Sequence, residues 1–181
     1  MIRSSREIID DLVSYGVDFE KKNGEFCYTR EGAHAHHRIL FHEDITGKEI
    51  TSHLLNAVKK LKNVRMYEYT TLLDILCDGS KCCGGIIRWP DGREEQVEAD
   101  YVILATGGIG GTYKHSTNFK HLTGDGVEIA RRHNIELKNL DYVQIHPTTL
   151  YSDNKEERSF LISESVRGEG ARLYDKNIHK Y

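Results

Sequence analysis

With 181 residues, 25 Lys+Arg against 28 Asp+Glu and a net charge of −3, the chain has the length of about one domain and is too evenly charged for a nucleic-acid surface or a basic membrane patch. No apolar run nears the roughly 20 residues of a bilayer span, and "MIRSSREIIDD" lacks the apolar stretch of a secretion signal, so a cytoplasmic protein is expected. Cys27, Cys77, Cys82 and Cys83 contain no CxxC pair, and His34, His36 and His37 have no adjoining cysteine, so free thiols and no metal are expected.

"SSREIIDDLVSYG" predicts a helix: Ser4 and Glu7 have capping-box spacing, Ile8, Ile9, Leu12 and Val13 form an apolar face, and Gly16 ends it. Asn23-Gly24 between two short β-prone runs signals a hairpin. "TGKEITSHLLNAVKKLKN" predicts a second helix, with Thr46 and Glu49 as start signal and Ile50, Leu54, Leu55, Val58 and Leu61 as its apolar face. From residue 64 on, β-rich segments alternate with turns at Asp78-Gly79 and Pro90-Asp91-Gly92, the pattern of an antiparallel meander. "YVILATGG" is apolar almost throughout and predicts a strand covered on both faces, stopping at two glycines where the backbone can approach something closely. "TGDGVEIARRHN" then reads as a helix with Thr123 or Asp125 near its N-terminus and basic residues at its end.

Two stretches carry chemistry. In "QIHPTTLY", Pro147 confines His146 to extended backbone and so fixes where the imidazole points, although a histidine ending a β segment is also an ordinary structural residue. In "LISESVRGEGARLY", Arg167 is placed to pair with Glu164 or Glu169, and "RGEGA" reads as a tight packing turn. The glycines of "ATGGIGG" do not have GxGxxG spacing, so no dinucleotide fingerprint is present.

Taken together, "TREGAHAHHRILFHEDITGKEI", "VILATGGIGGTY", "TGDGVEIARR", "VQIHPTTLY" and "LISESVRGEGARLYD" resemble the L-aspartate oxidase family of the fumarate reductase/succinate dehydrogenase flavoproteins. The resemblance implies an α/β (α+β) fold: residues 1–138 as the middle and C-terminal portion of an FAD-binding domain without its N-terminal GxGxxG unit, and 139–181 as the start of a substrate-binding capping domain. An internal segment of a longer enzyme is therefore expected, inactive and unable to retain FAD by itself, and self-associating through unpartnered apolar strands.

The family also implies roles. Glu31 would stand near the substrate ammonium, where a carboxylate favours aspartate over succinate; otherwise it is a solvated loop acid. His146 would bind a substrate carboxylate, with Ser163 and Glu164 as further substrate contacts, Ser163 standing where the family often has threonine. Thr71 and Leu72 would meet the adenine of FAD through their backbone, or are plain strand residues. Ala105, Thr106, Gly107 and Gly108 would pass close to the flavin, and Asp125 would hold a cofactor hydroxyl or cap its helix. The family loop tends to read REGGHSHRRIL, so Ala33, Ala35 and His37 depart from it, which bears on the loop's backbone. The implied reaction oxidises L-aspartate to iminoaspartate in NAD biosynthesis, with dioxygen or fumarate as acceptor and quinolinate synthase as a candidate partner.

Overall fold

Helices and short antiparallel strands make up the computed structural model, which describes residues 2–153 and 158–178. The chain divides into two units, Met1–Met66 with Ile162–Tyr181, and Tyr67–Leu161.

In the first unit α1 (Ser5–Ser14) half-buries Ile9, Leu12 and Val13 but leaves Ile8 51% exposed, so its apolar stripe is narrower than the periodicity predicts. The capping box does not form, because the chain enters α1 through a 3-10 turn and Ser4 makes no side-chain cap. The helix end follows the sequence. Gly16, at φ 94, donates its N–H to the Val13 carbonyl at 2.9 Å, and the Val17 N–H reaches Leu12 at 3.1 Å. This doubly bonded left-handed cap satisfies terminal carbonyls and carries Val17 into the core. β1 (Lys21–Lys22) and β2 (Glu25–Phe26) form the expected hairpin, with Asn23 and Gly24 both at positive φ as a type I′ turn requires. Phe19, buried behind it, meets Phe26 edge-on with ring centroids 6.2 Å apart.

α2 (Thr46–Lys59) starts where predicted, but its start signals have other uses. The Thr46 hydroxyl accepts from the His42 N–H at 3.0 Å. Glu49 accepts from the Asp18 N–H at 3.1 Å and lies 3.1 Å from His53 Nε2, which ties α2 to the segment after α1.

The second unit contains the meander: β3 (Thr71–Asp78), β4 (Lys81–Arg88) and β5 (Glu94–Glu98) pair antiparallel in that order. The Pro90-Asp91-Gly92 turn is closed by the Gly92 N–H on the Trp89 carbonyl at 2.9 Å. α3 (Asp125–Arg132) contacts β3, and Ile129, Ala130 and Ile75 are the buried apolar residues of this unit. Polar bonds fasten the same contact. Arg132 donates to the Leu73 carbonyl at 2.8 Å and to Asp74 at 3.1 Å, while His133 Nε2 lies 2.8 Å from the same carboxylate. Burial pushes the Asp74 carboxyl up, yet the His133 hydrogen bond, the Ile75 N–H and the Arg132 charge outweigh it and hold it below the usual carboxylate range.

One expectation fails. Residues 101–108 form no strand, and Tyr101 and Ile103 are 89% and 88% exposed. An extended apolar run becomes a strand only where neighbouring backbone accepts its N–H and C=O groups, and none does so among the described residues. β6 (Thr149–Leu150) pairs with β7 (Phe160–Leu161), and α4 (Glu164–Gly168) returns the chain to the first unit.

Candidate functional site

The first unit holds Glu31, Ser163 and Glu164. Residues 29–39 form a loop closed by reciprocal bonds between Thr29 and Ile39, at 2.9 and 3.0 Å. Inside it the Glu31 carbonyl accepts from the His34 N–H at 3.1 Å, and Ala33 takes φ 69, a conformation that suits the glycine of the related loops better than alanine. Glu31 is half-buried, and its carboxylate has no hydrogen bond or ion pair among the described residues.

α4 explains the second motif. Ser163 is its N-cap, accepting from the Ser165 N–H at 3.2 Å, and Glu164 pairs with Arg167 at 2.9 Å, so both residues have structural roles besides any contact with substrate. Gly170, at φ 101, ends the helix, and the Ala171 N–H turns back to the Val166 carbonyl at 3.1 Å. Gly168 lies so close to Arg30 that a Cβ there would strike the Arg30 carbonyl. In return Arg30 Nε donates to the Gly168 carbonyl at 3.2 Å, across a separation of 138 positions. The Arg167 side chain lies over Gly32, and its Nε is buried without a hydrogen-bond partner among the described residues. Folding thus docks the "REGAH" loop directly on the "RGEGA" turn.

The second unit holds the remaining candidates. His146 lines a cleft of about 390 Å³ with Tyr113, His115, Asn118 and Gln144. Its Nδ1 lies 2.9 Å from the Thr148 carbonyl and 3.2 Å from the Thr148 N–H. With its proton on Nδ1 the ring donates to the Thr148 carbonyl, and with its proton on Nε2 it accepts the Thr148 N–H. His115, Tyr113 and Asn118 were not singled out in the sequence; the polar run "HSTN" was the only available signal.

Ala105, Thr106, Gly107 and Gly108 are exposed on the loop before α3. The loop is seated on the helix start: a Cβ at Gly126 would meet the Thr106 hydroxyl, and one at Gly124 would meet Ile109. Gly107 takes φ 74, and the side-chain position of Gly108 faces open space. Asp125 is the first residue of α3, behind Gly124 as N-cap, and its carboxylate accepts from the Thr123 hydroxyl at 2.7 Å. Thr71 and Leu72 open β3, an edge strand of its sheet, opposite Arg88 and Ile87.

The model of the FAD binding domain family matches residues 1–181. The chain belongs to this family. It is similar to the L-aspartate oxidases of Clostridium perfringens, at 45% identity over 100% of the chain, and of Bacillus subtilis, at 35% over 98%. It spans 41% and 33% of those relatives' lengths. Among solved structures it is similar to E. coli quinol fumarate reductase, with a TM-score of 0.89 and 28% identity over 98% of this chain and 30% of that one. An open flavocytochrome c3 fumarate reductase gives a TM-score of 0.73 at 25% identity, over 96% of this chain and 31% of that one.

The donor set of this FAD binding domain fits its cofactor. The side-chain position of Gly108 faces open space, so a flat ring system can approach the backbone closely there. The outer backbone edge of β3 at Thr71 and Leu72 suits the hydrogen-bonding rim of a purine.

Proposed function

We propose that this chain is part of an FAD-dependent L-aspartate oxidase that converts L-aspartate to iminoaspartate for NAD biosynthesis. The observation that carries the reading is Glu31, a half-buried carboxylate without an ionic partner among the described residues, held on a loop anchored by Arg30 and Gly168. Such a group stabilises the ammonium of an amino acid and repels a dicarboxylate that has none. His146 would take a substrate carboxylate, with the Ser163 hydroxyl and Glu164 as further substrate contacts. Thr71, Leu72, Ala105, Thr106, Gly107, Gly108 and Asp125 hold FAD laterally. Bound FAD would supply two-electron chemistry, accepting the hydride equivalent lost from Cα, with dioxygen or fumarate as the final acceptor of the electrons. The chain's own task is orientation, so that Cα and the amine lone pair are aligned before the hydride leaves.

In this reading residues 1–138 belong to the FAD-binding domain and 139–181 begin the capping domain, a boundary drawn from the family resemblance and different from the division into contact units. Quinolinate synthase would consume the product, and the cytoplasm would be its compartment. A fumarate reductase or succinate dehydrogenase activity is the second reading, favoured by the similarity to fumarate reductase structures. The full-length enzyme separates the two. Glu31→Gln should weaken aspartate turnover by about 1–3 kcal/mol in kcat/KM and leave fumarate reduction much less affected. Equal losses on both substrates would remove Glu31 from an ammonium site.

A further inference from the structure

Cys77 and Cys82 face each other across the β3–β4 hairpin. The turn between them has two residues, Gly79 and Ser80, with Gly79 at φ 60, so Asp78 and Lys81 form the hydrogen-bonded pair that closes it. Pairs alternate along an antiparallel ladder, so Cys77 and Cys82 are the next, non-hydrogen-bonded pair, where Cα atoms come to about 4.5 Å and side chains share a face. That separation lies inside the range of about 4.4–6.8 Å spanned by disulfides. Cys83 is the residue that the register skips before Gly84, so it has no partner opposite.

A base is already in place. His133 Nδ1 lies 3.5 Å from Cys77 Sγ, while its Nε2 lies 2.8 Å from Asp74, a thiol–imidazole–carboxylate series. Desolvation by its surroundings, with Cys82, Cys83 and Asp74 nearby, pushes the Cys77 thiol up, and the His133 imidazole is the group within reach to remove the proton. Asp74 holds the ring in place, and Cys77 is exposed to small oxidants.

We propose that Cys77 and Cys82 are a peroxide-reactive dithiol, with Cys77 oxidised first, Cys82 resolving and His133 as the base. In the first step the Cys77 sulfur attacks one oxygen of hydrogen peroxide. An S–O bond forms, the O–O bond breaks, and the thiol proton, taken by His133, leaves with the second oxygen as water. Sulfur is oxidised by two electrons to the sulfenic acid, and the peroxide is reduced. In the second step the Cys82 sulfur attacks the Cys77 sulfur, an S–S bond forms, and the sulfenic oxygen leaves as water with the Cys82 proton. The only co-reactant is hydrogen peroxide, added or produced by a dioxygen-reducing flavoprotein, so the site does not depend on which substrate the enzyme oxidises.

The test uses the folded protein and dilute hydrogen peroxide, with accessible thiols counted over time and peptide masses read after digestion. Expected are the loss of two thiols, one linked peptide pair containing Cys77 and Cys82, and survival of Cys27 and Cys83. Cys82→Ser should accumulate a sulfenic acid at Cys77 that dimedone traps, and Cys77→Ser should protect Cys82. His133→Asn should slow the first step at least about tenfold at neutral pH and lose that effect at alkaline pH, where the thiol ionises unaided. Should this variant fail to fold, the Cys82→Ser trapping decides by itself. Sulfenic acid at Cys27 or Cys83 in preference to Cys77, a disulfide through Cys83, or oxidation no faster than in the urea-unfolded chain would overturn the proposal.

Discussion

Ala33→Gly should make the protein more stable, against the usual cost of adding glycine. Ala33 sits exposed at φ 69 in the loop that carries Glu31, and the left-handed region costs a residue with a Cβ about 1–2 kcal/mol. Glycine removes that cost but adds unfolded-state freedom worth about 0.4–1 kcal/mol. The net gain should be about 0.5–1 kcal/mol, which at a urea slope of about 2 kcal/mol/M raises the midpoint by about 0.3–0.5 M. Ala35→Gly is the control: it is two positions away and equally exposed, but Ala35 is not at positive φ, so it should lose about 0.4–1 kcal/mol. Urea unfolding followed by far-UV circular dichroism reads both. If Ala33→Gly lowers the midpoint as Ala35→Gly does, the left-handed backbone at Ala33 is wrong, and with it the account of how this loop tolerates alanine in place of glycine.

Asp74→Asn should cost about 1–2 kcal/mol at neutral pH by weakening the bonds to Arg132 and His133 that fasten α3 to β3. Because the folded carboxyl is held below its unfolded value of about 3.9, its stabilisation is fully present above that value and is lost as pH falls through the folded pKa. Wild type and variant should therefore converge in acid unfolding curves, and a constant gap down to the lowest pH would contradict the assignment. Gly126→Ala should force Thr106 away from α3 and cost about 1–3 kcal/mol, with weaker flavin retention in the full-length enzyme measured by absorbance; unchanged stability and flavin content would show that the loop is not seated on the helix. His146→Ala should lower kcat/KM for aspartate with flavin content unchanged, and an enzyme purified without flavin would instead place the histidine in support of the fold or cofactor.

Local chemistry was legible in the sequence wherever the cause of a structure lies within a few residues. The Asn23-Gly24 turn, the Gly16 helix end, the meander turns and the Glu164–Arg167 pair all depend on backbone freedom or reach over a short span. The motif blocks were legible too, since they identify the family by local residue patterns alone. What a residue does with its polar atoms was decided by tertiary structure. Glu49 and Thr46 have capping-box spacing, but Asp18 and His42 are brought within hydrogen-bonding distance and take those groups instead. The docking of Gly168 on Arg30 joins positions 138 apart, and nothing in either motif names the other, because close packing needs only the absence of a side chain. Residues 101–108 show the same division: apolar composition sets the tendency to be a strand, but a strand is a pairing between backbones, and the neighbours present determine whether it forms.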